Sequence, residues 1–464
     1  MSYLAFDLGA SSGKLFIGSL KGGKMSLKEV HRFKNEPIAI KNSLYWDFMY
    51  IYREMRKGIE KAVKDAGDDA IVSIGIDSFS NDFSIVSPEG ELLTPIRCYR
   101  DTRTKKYEKD IYSAISEREL YLRFGNQLTC CNTLMQLAAI ELSGQGGIFL
   151  NNAKLLMIPD LLGYFLTGNM RNEFTLQSVS QTLSLQNMRH DEEVLQTFSI
   201  PKSIFPPIIR PGEYLGTIEE GPAAGAKVCT VCAHDTASAF ICADEKNLSI
   251  SAGTWALFGF LNDGPIVNDF GFLNNIANEG AYGAKTRIIK NIMGSWISQQ
   301  AMKEFAAVGE DISYEHIAKL IRGQKENKYI IDVNDMRFFA PACMTKAIKE
   351  KCMEIYGDQP EGMAQVLKCI SDSIAYKYFE CSRLMEKFAK REFDTINIMG
   401  GGSADEYICK KTAQLTRKRV LAGPMEATAI GNIAVQLIAD NRVSGPEEAR
   451  EIILKSFDFK EYCA

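Results

Sequence analysis

Residues 3–20 read YLAFDLGASSGKLFIGSL, and this stretch decides the fold that the sequence predicts. Two apolar runs, YLAFDL and LFIGSL, flank a turn of small residues and Lys14, which is the pattern of a β-hairpin. A related pattern recurs at residues 248–260, LSISAGTWALFGF, where an Ala-Gly-Thr turn separates two apolar runs. Two similar hairpins about half a chain apart indicate a duplicated core.

Strand-like and helix-like segments alternate along the rest of the chain. Short apolar runs at 71–77 (IVSIGID), 82–87 (DFSIVS) and 395–400 (TINIMG) predict strands. Apolar residues recur at three- and four-residue steps across 361–390, which predicts a long helix. The sequence therefore predicts an α/β protein.

The length of the chain predicts two domains, because 464 residues exceed what one ordinary hydrophobic core accommodates. The segment 210–225 is rich in turn residues, and the boundary is expected shortly after it. We place it near residue 245, so that the predicted domains are 1–245 and 246–464.

The composition excludes several classes of partner. A hydrophobic content of 46%, a charged content of 24% and a net charge of −4 lack the basic excess of a nucleic-acid binder. The most apolar stretch, LLMIPDLLGYFL, is interrupted by Pro159 and Asp160, and the start of the chain has no signal-peptide pattern. We therefore expect a cytoplasmic protein without a membrane partner.

Twelve cysteines lie scattered along the chain, without the spacing of a disulfide framework. We expect reduced, mostly buried thiols. Cys229 and Cys232 form a C-x-x-C motif, but on a strand residues three apart face opposite sides, which disfavours a shared zinc ion.

Three turns of small residues suit the binding of phosphate, because successive backbone N–H groups form a cradle for anionic oxygens. The first, GASSGK at 9–14, is not a P-loop, since three residues rather than four separate its glycines and Leu15 follows the lysine. The second is the Ala-Gly-Thr turn at 252–254, and the third, GGGS at 400–403, follows a predicted strand. A nucleotide is the ligand that the three turns together suggest, and a tight hairpin that binds nothing is the alternative for the first.

A His-Asp pair follows an apolar run in VCAHDTASAF, residues 231–240. We expect a strand over 228–233, directly followed by His234. Asp235 suits a general base, because a carboxylate is ionised at neutral pH and accepts a proton from an alcohol. Alternatively, Asp235 caps a helix that begins with TASAF, and His234 is a packed core histidine. The other three histidines, His31, His190 and His316, lie in polar stretches and are expected at the surface.

A series of motifs resembles the FGGY carbohydrate kinases, and most closely their rhamnulokinase branch. In chain order the motifs are DLGASSGK, IGIDSFSNDF, YRDTRT, HDTASA, ISAGTWALFG, KNIMGSW, GGGS and GPMEATAIGNI. The resemblance covers nearly the whole chain. It implies the two-lobed fold of actin, hexokinase and Hsp70 (ribonuclease H-like), with duplicated α/β domains around an ATP cleft. It also implies ATP-dependent phosphorylation, with Mg²⁺, of the C1 hydroxyl of a ketose, foremost L-rhamnulose to L-rhamnulose 1-phosphate.

Site residues follow from the resemblance position by position. Asp235 becomes the catalytic base, and Ser80, His234, Asp235 and Thr236 line the sugar site. Asp7 holds Mg²⁺ through water. The first phosphate loop comprises Ala10, Ser11, Ser12, Gly13 and Lys14. The positions that bind ATP from the second lobe are Thr254, Asn291, Gln299 and Gly401.

The chain departs from the family pattern in the sugar-site segment, 77–83. Where rhamnulokinases usually have Asp-Thr-Trp-Gly-Val-Asp-Phe, this chain has Asp-Ser-Phe-Ser-Asn-Asp-Phe, so that Ser80 replaces glycine and Asn81 replaces valine. A side chain added at the sugar alters which substrate fits. A different ketose or a small polyol-like substrate is therefore the alternative, and a non-catalytic actin-like nucleotide switch is the alternative from another class.

Overall fold

The computed structural model describes residues 1–324 and 327–464. The chain forms two compact units, each built from three segments. The first unit comprises Met1–Cys242, Leu261–Ile288 and Ala427–Ser456, and the second comprises Ala243–Phe260, Ile289–Glu426 and Phe457–Ala464. The predicted domains 1–245 and 246–464 therefore differ from the two units, because the segments Leu261–Ile288 and Ala427–Ser456 belong to the first unit.

The strands are β1 (Ser2–Leu8), β2 (Ser12–Lys21), β3 (Lys24–Lys34), β4 (Ile38–Ile40), β5 (Ser43–Tyr45), β6 (Ile71–Ser78), β7 (Phe83–Val86), β8 (Lys154–Met157), β9 (Asn172–Glu173), β10 (Leu183–Ser184), β11 (Arg189–His190), β12 (Ile208–Ile209), β13 (Tyr214–Thr217), β14 (Lys227–Cys229), β15 (Leu248–Ala252), β16 (Trp255–Asn262), β17 (Ala277–Gly280), β18 (Thr286–Met293), β19 (Thr395–Met399), β20 (Arg419–Ala422) and β21 (Lys460–Tyr462).

The α-helices are α1 (Phe48–Ala66), α2 (Glu108–Ala114), α3 (Glu117–Phe124), α4 (Thr133–Leu142), α5 (Gly146–Phe149), α6 (Ile158–Thr167), α7 (Phe174–Gln177), α8 (Glu192–Thr197), α9 (Asp235–Ala239), α10 (Asp269–Leu273), α11 (Ser295–Ala307), α12 (Tyr314–Gly323), α13 (Met344–Tyr356), α14 (Gly362–Ala389), α15 (Glu406–Thr416), α16 (Ala427–Ala439) and α17 (Pro446–Ser456). The long helix expected over 361–390 is confirmed by α14.

The first unit contains a sheet with strand order β13-β14-β6-β1-β2-β3. β1 and β2 pair antiparallel up to Leu8 and Gly13, which confirms the hairpin predicted from residues 3–20. β6 lies parallel to β1, and β14 lies parallel to β6. Ile51, Met55 and Ile59 recur every four residues on α1 and are buried in the hydrophobic core beside this sheet.

The second unit repeats this strand arrangement. β15 pairs antiparallel with β16, which confirms the second predicted hairpin, and parallel with β19. β20 then lies parallel to β19. Each unit thus has a hairpin whose first strand starts a parallel series, as a duplicated core requires.

Two expectations from the sequence are wrong. The strand expected over 228–233 ends at Cys229, because the paired strand β13 carries a bulge and the backbone of Thr230 bonds instead to residues 212 and 213. His31 is buried rather than exposed. It lies on β3, where its ring contacts the side chains of Glu54 and Lys61.

Within the part of the chain that the structure describes, no helix combines the length and the apolar character needed to cross a bilayer. The twelve cysteines are free thiols, and only Cys343 and Cys463 are exposed. Cys229 and Cys232 are both buried, and burial raises the pKa of Cys229 to about 12.

Gly75 tests the packing of the first sheet. A Cβ at this position in β6 would lie 2.2 Å from Asn432 Oδ1 and 2.6 Å from Val231 Cγ1. We expect Gly75→Ala to lower the free energy of unfolding by about 1–3 kcal/mol, since these neighbours are fixed by packing. Urea denaturation followed by circular dichroism measures the change. Gly147→Ala is the control, because a Cβ there meets only Asn151 at 3.9 Å; equal stability of the two variants would contradict the packing described.

Candidate active site

Three carboxyl groups lie close together at the ends of the central strands of the first unit. Asp7 on β1 and Asp77 on β6 are direct register partners. Burial raises the pKa of Asp77 well above its ordinary value, and the negative charges of Asp7 and Asp235 raise it further. Asn432 of α16 donates a hydrogen bond to Asp77 Oδ2 at 2.6 Å. The structure therefore brings Asp7 and Asp235 to one acidic site, and the buried Asp77 lies beneath them.

Asp235 is the first residue of α9, and His234 rather than Asp235 is the N-cap of that helix. The Asp235 Oδ1 atom accepts hydrogen bonds from Thr236 N at 2.6 Å and Thr236 Oγ1 at 3.2 Å. No residue of 1–324 or 327–464 donates a hydrogen bond to the other oxygen, Oδ2. The side chain is 33% exposed, so that a ligand can reach it.

Burial raises the pKa of Asp235 above its ordinary value, and the two hydrogen bonds from Thr236 oppose this effect. A carboxylate with a raised pKa accepts a proton more readily than an ordinary one. The environment of Asp235 therefore suits a general base.

His234 is buried beside Asp235 and is held at both its ring and its backbone. Its Nδ1 atom lies 2.8 Å from Arg287 Nη2, and its backbone N–H donates to Thr175 Oγ1 at 3.1 Å. Its Nε2 atom lies 3.7 Å from Asp235 Oδ1. Burial, and then the charge of Arg287, holds the pKa of His234 well below its ordinary value. The sequence analysis missed Arg287 and Thr175, because both are more than fifty residues away and neither lies in a motif that names a function.

The predicted first phosphate loop is partly a strand. Gly9 N donates to Ser12 O, which closes a turn, whereas residues 12–14 belong to β2. A Cβ on Gly13 would lie 2.1 Å from the Phe33 ring, so this glycine is required by packing against Phe33. Ser11 is exposed at the tip of the turn. Lys14 lies opposite Asp7 in the hairpin register.

The segment of Ser80 and Asn81 forms the turn between β6 and β7. Asn81 has a φ of +74°, a left-handed conformation that asparagine tolerates and valine disfavours. The Asn81 carbonyl accepts hydrogen bonds from Thr133 Oγ1 and Gln136 Nε2. The replacement of valine by asparagine in this chain therefore fits the backbone of its own turn. Ser80, half-buried, lies beside Asn81 in that turn.

Asp82, the next residue, anchors this turn in the interior. Its Oδ2 atom accepts hydrogen bonds from Trp46 Nε1 at 2.7 Å and from Tyr99 N at 2.8 Å. Trp46 in turn packs against Phe79, with ring centroids 4.8 Å apart. Asp82 is 2% exposed, and burial raises its pKa to about 7.

In the second unit, the GGGS turn packs on the end of β15. Gly400 has a φ of +81°, and a Cβ on Gly402 would lie 2.5 Å from Ala252 Cβ. A Cβ on Gly401 would meet open space, and Gly401 is exposed. The backbone at Gly401 is therefore bare and accessible, and its role in binding a nucleotide stays a prediction.

Ser295 connects two more of the predicted nucleotide-binding residues. Its Oγ atom donates to Gly253 O at 2.8 Å and accepts from Gln299 Nε2 at 2.9 Å. Trp296 N donates to Thr254 O at 3.1 Å, so that Thr254 and Gln299 lie at the same helix start. Asn291 lies on the preceding strand, β18, where its carbonyl accepts from Asn334 Nδ2.

Two family models match the chain. The N-terminal domain of the FGGY family of carbohydrate kinases matches residues 2–242, and the C-terminal domain of that family matches residues 248–439. The chain belongs to the FGGY family of carbohydrate kinases.

Curated relatives are similar over almost the whole length. The chain is 36% identical to a rhamnulokinase of Oceanobacillus iheyensis, covering 99% of this chain and 97% of the relative. It is 32% identical to a rhamnulokinase of Bacillus subtilis, covering 100% and 95% of the two chains. The crystal structure of Plasmodium falciparum glycerol kinase with ADP superposes with a TM-score of 0.80 at 14% identity, covering 100% of this chain and 94% of that one. The fold expected from the resemblance, that of the FGGY kinases, is confirmed.

Asp82 predicts a pH dependence of stability. Its folded-state pKa of about 7 lies above the ordinary value, so the folded protein retains a proton that the unfolded chain releases. The stability that this group contributes therefore falls as the pH rises from about 4 to about 7. In Asp82→Asn that dependence is absent, because the amide keeps an acceptor for Trp46 and Tyr99 but does not titrate.

Urea unfolding at several pH values measures this effect. From pH 4.5 to 7.5 we expect the stability of Asp82→Asn to rise relative to wild type by on the order of 1–4 kcal/mol. Asp68→Asn is the control, since Asp68 is exposed. Parallel pH curves for wild type and Asp82→Asn would show that Asp82 ionises normally.

Proposed function

We propose that this carbohydrate kinase transfers a phosphoryl group from ATP to the C1 hydroxyl of a ketose, L-rhamnulose in the first place. The observation that carries the proposal is the state of Asp235, an accessible carboxylate with one oxygen held by Thr236 and the other open. Similarity to rhamnulokinases across nearly the whole chain supports L-rhamnulose as the substrate.

In this proposal the residues of the first unit bind and activate the sugar. Asp235 Oδ2 accepts the proton of the attacking hydroxyl, and Thr236 keeps the carboxylate in one orientation through Oδ1. His234 contacts a neighbouring sugar oxygen. Ser80 lies in the turn that lines the same site.

The nucleotide is bound by small-residue turns and by residues of the second unit. The backbone of Gly401 can approach a nucleotide closely, because Gly401 is exposed and a Cβ there would meet open space. We assign the first unit, which holds most of residues 1–245, to the sugar and first phosphate loop, and the second unit, which holds most of residues 246–464, to the nucleotide. The residues that would contact ATP are Ala10, Ser11, Ser12, Gly13, Lys14, Thr254, Asn291, Gln299 and Gly401.

Among the described residues no group of three or more His, Cys, Asp or Glu is placed to hold a metal ion directly, so we assign Mg²⁺, which prefers carboxylate and water oxygens, a contact through water. Asp7, half-buried at the end of β1, would hold the ion through water. Mg²⁺ would neutralise charge on the phosphates of the nucleotide. Asp77 instead accepts a hydrogen bond from Asn432 and has a structural role in the interior of the first unit.

Asp235→Asn tests the role of the base. The amide oxygen still accepts from Thr236, so we expect an unchanged melting temperature and unchanged ATP affinity. Because the amide cannot accept the proton, we expect kcat to fall by at least about a hundredfold. A coupled assay of ADP release measures kcat, and Asp68→Asn is the surface control. An Asp235→Asn enzyme with wild-type kcat would remove the assignment.

Ser80 and Asn81 favour a second candidate substrate, a ketose other than L-rhamnulose, because they replace the glycine and valine of the family pattern. The same assay with L-rhamnulose, L-fuculose, L-ribulose and D-xylulose decides between them. We expect the highest kcat/KM with L-rhamnulose, and a higher value with another sugar would replace it as the substrate.

Ser80→Gly tests which residue sets this preference. If Ser80 lies against the sugar, the variant changes the ratio of kcat/KM values between sugars while the KM for ATP stays constant. An unchanged ratio would place Ser80 away from the sugar. Nucleotide hydrolysis that no sugar stimulates, but that a protein partner does, would instead favour the nucleotide switch.

A further inference from the structure

A fully buried arginine contacts the histidine of the proposed sugar site. Arg287, at the start of β18, has 0% exposure, and its Nε atom donates to Gly280 O at 3.0 Å. Its Nη2 atom lies 2.8 Å from His234 Nδ1 and 3.0 Å from Glu279 Oε2. All of these residues belong to the first unit. A charge buried this deeply is costly unless it is paired, and Glu279 pairs it.

The contact with Arg287 determines where His234 carries its proton. A guanidinium group only donates hydrogen bonds, so His234 Nδ1 accepts from Arg287 Nη2 at 2.8 Å. Glu279 Oε2, the competing acceptor for an Nδ1–H, lies farther from Nδ1, at 3.5 Å. Burial and the charge of Arg287 hold the pKa of His234 well below its ordinary value, so that the ring is neutral. A neutral imidazole has one N–H, and here it is on Nε2.

We propose that Arg287 is a positioning residue that fixes His234 as the Nε2–H tautomer, so that His234 donates a hydrogen bond to the sugar oxygen adjacent to the hydroxyl that Asp235 deprotonates. The tautomer follows from the contacts within the first unit. The donation to sugar rests on the proposed function.

The geometry leaves the Nε2–H available for a substrate. Nε2 lies 3.7 Å from Asp235 Oδ1, which is longer than a hydrogen bond, and Thr236 already occupies that oxygen. A donor thus lies beside an open acceptor, Asp235 Oδ2. Two oxygens on neighbouring carbons of a ketose match this pair, because the C1 hydroxyl donates and the C2 carbonyl oxygen only accepts.

The backbone of His234 is fixed as firmly as its ring. The His234 N–H donates to Thr175 Oγ1 at 3.1 Å, and Thr175 Oγ1 donates to Glu173 Oε2 at 2.6 Å. With the backbone held on one side and Nδ1 on the other, the ring cannot turn over without losing a buried hydrogen bond. The donor is therefore preorganised, and a substrate without an oxygen at the matching carbon would leave it unpaired.

Ring ¹⁵N spectra of the free protein test the tautomer. Long-range ¹H–¹⁵N correlation distinguishes the Nε2–H tautomer, the Nδ1–H tautomer and the imidazolium, and the signals of His234 are those that disappear in His234→Gln. We expect the Nε2–H pattern at pH 6 to 8. An Nδ1–H pattern or an imidazolium in this range would overturn the proposal.

A double variant tests whether Arg287 is the cause. Arg287→Gln with Glu279→Gln removes both charges together, so that no unpaired carboxylate stays buried. We expect a mixture of tautomers and a kcat/KM for the sugar lowered by at least about tenfold, the value of one hydrogen bond, with an unchanged KM for ATP. The matched control removes an exposed pair of the same kind, Arg118→Gln with Asp269→Asn. A folded Arg287/Glu279 variant with the wild-type tautomer and kcat/KM would overturn the role of Arg287.

Two single variants keep the test decisive if the double variant does not fold. The amide nitrogen of His234→Gln can stand in for Nε2, whereas that of His234→Asn can stand in only for Nδ1. We expect His234→Gln to retain at least about tenfold more kcat/KM for the sugar than His234→Asn. Equal losses would overturn the donor role. Because the spectra need no sugar, an Nε2–H tautomer in a protein that phosphorylates no sugar would contradict the proposed function alone.

Discussion

A polar seam between α16 and the central strands holds the first unit together, and the site depends on it. Gln436 Nε2 donates to Leu4 O on β1, and Ser73 Oγ on β6 donates to Gln436 Oε1. One turn earlier, Asn432 donates to Asp77. Each of these hydrogen bonds contributes only about 1 kcal/mol net to stability. Because the groups are buried, removing one partner would leave the other unpaired, which costs about 1–3 kcal/mol. The seam therefore fixes the position of α16 over the two strands that carry Asp7 and Asp77.

The environment of each carboxyl group assigns it a different task. Asp77 has no exposed surface and is flanked by the charges of Asp7 and Asp235, so its own charge is suppressed. Asp235 is partly exposed. Burial raises its pKa, and the hydrogen bonds from Thr236 and then the positive charge of Arg287 oppose this effect. The raised pKa of Asp77 weakens one source of repulsion in the site. Asp235 is a partly exposed carboxyl group that a ligand can reach.

Local sequence patterns predicted those features of the fold that depend on residues close together in the sequence. The hairpin of residues 3–20 and its counterpart at 248–260 were predictable because alternation and turn residues act over a few positions. The seam to Asn432 was not, because it pairs residues 355 positions apart. Arg287 was not either, since an arginine in a strand carries no sign of which histidine it contacts. His31 was placed outside because its neighbours in sequence are polar, although its neighbours in space are those of α1.

The segmented first unit constrains the order in which a newly made chain can fold. Its last segment, Ala427–Ser456, supplies the helix that covers a sheet begun at Ser2. At roughly 5–20 residues per second, Asn432 leaves the ribosome about 20–70 seconds after Asp77. During that interval the acceptor on Asp77 has no amide to meet, and the face that α16 later covers is open to chaperones and to other nascent chains. Synthesis must therefore reach the segment Ala427–Ser456 before the acidic site can take its final form.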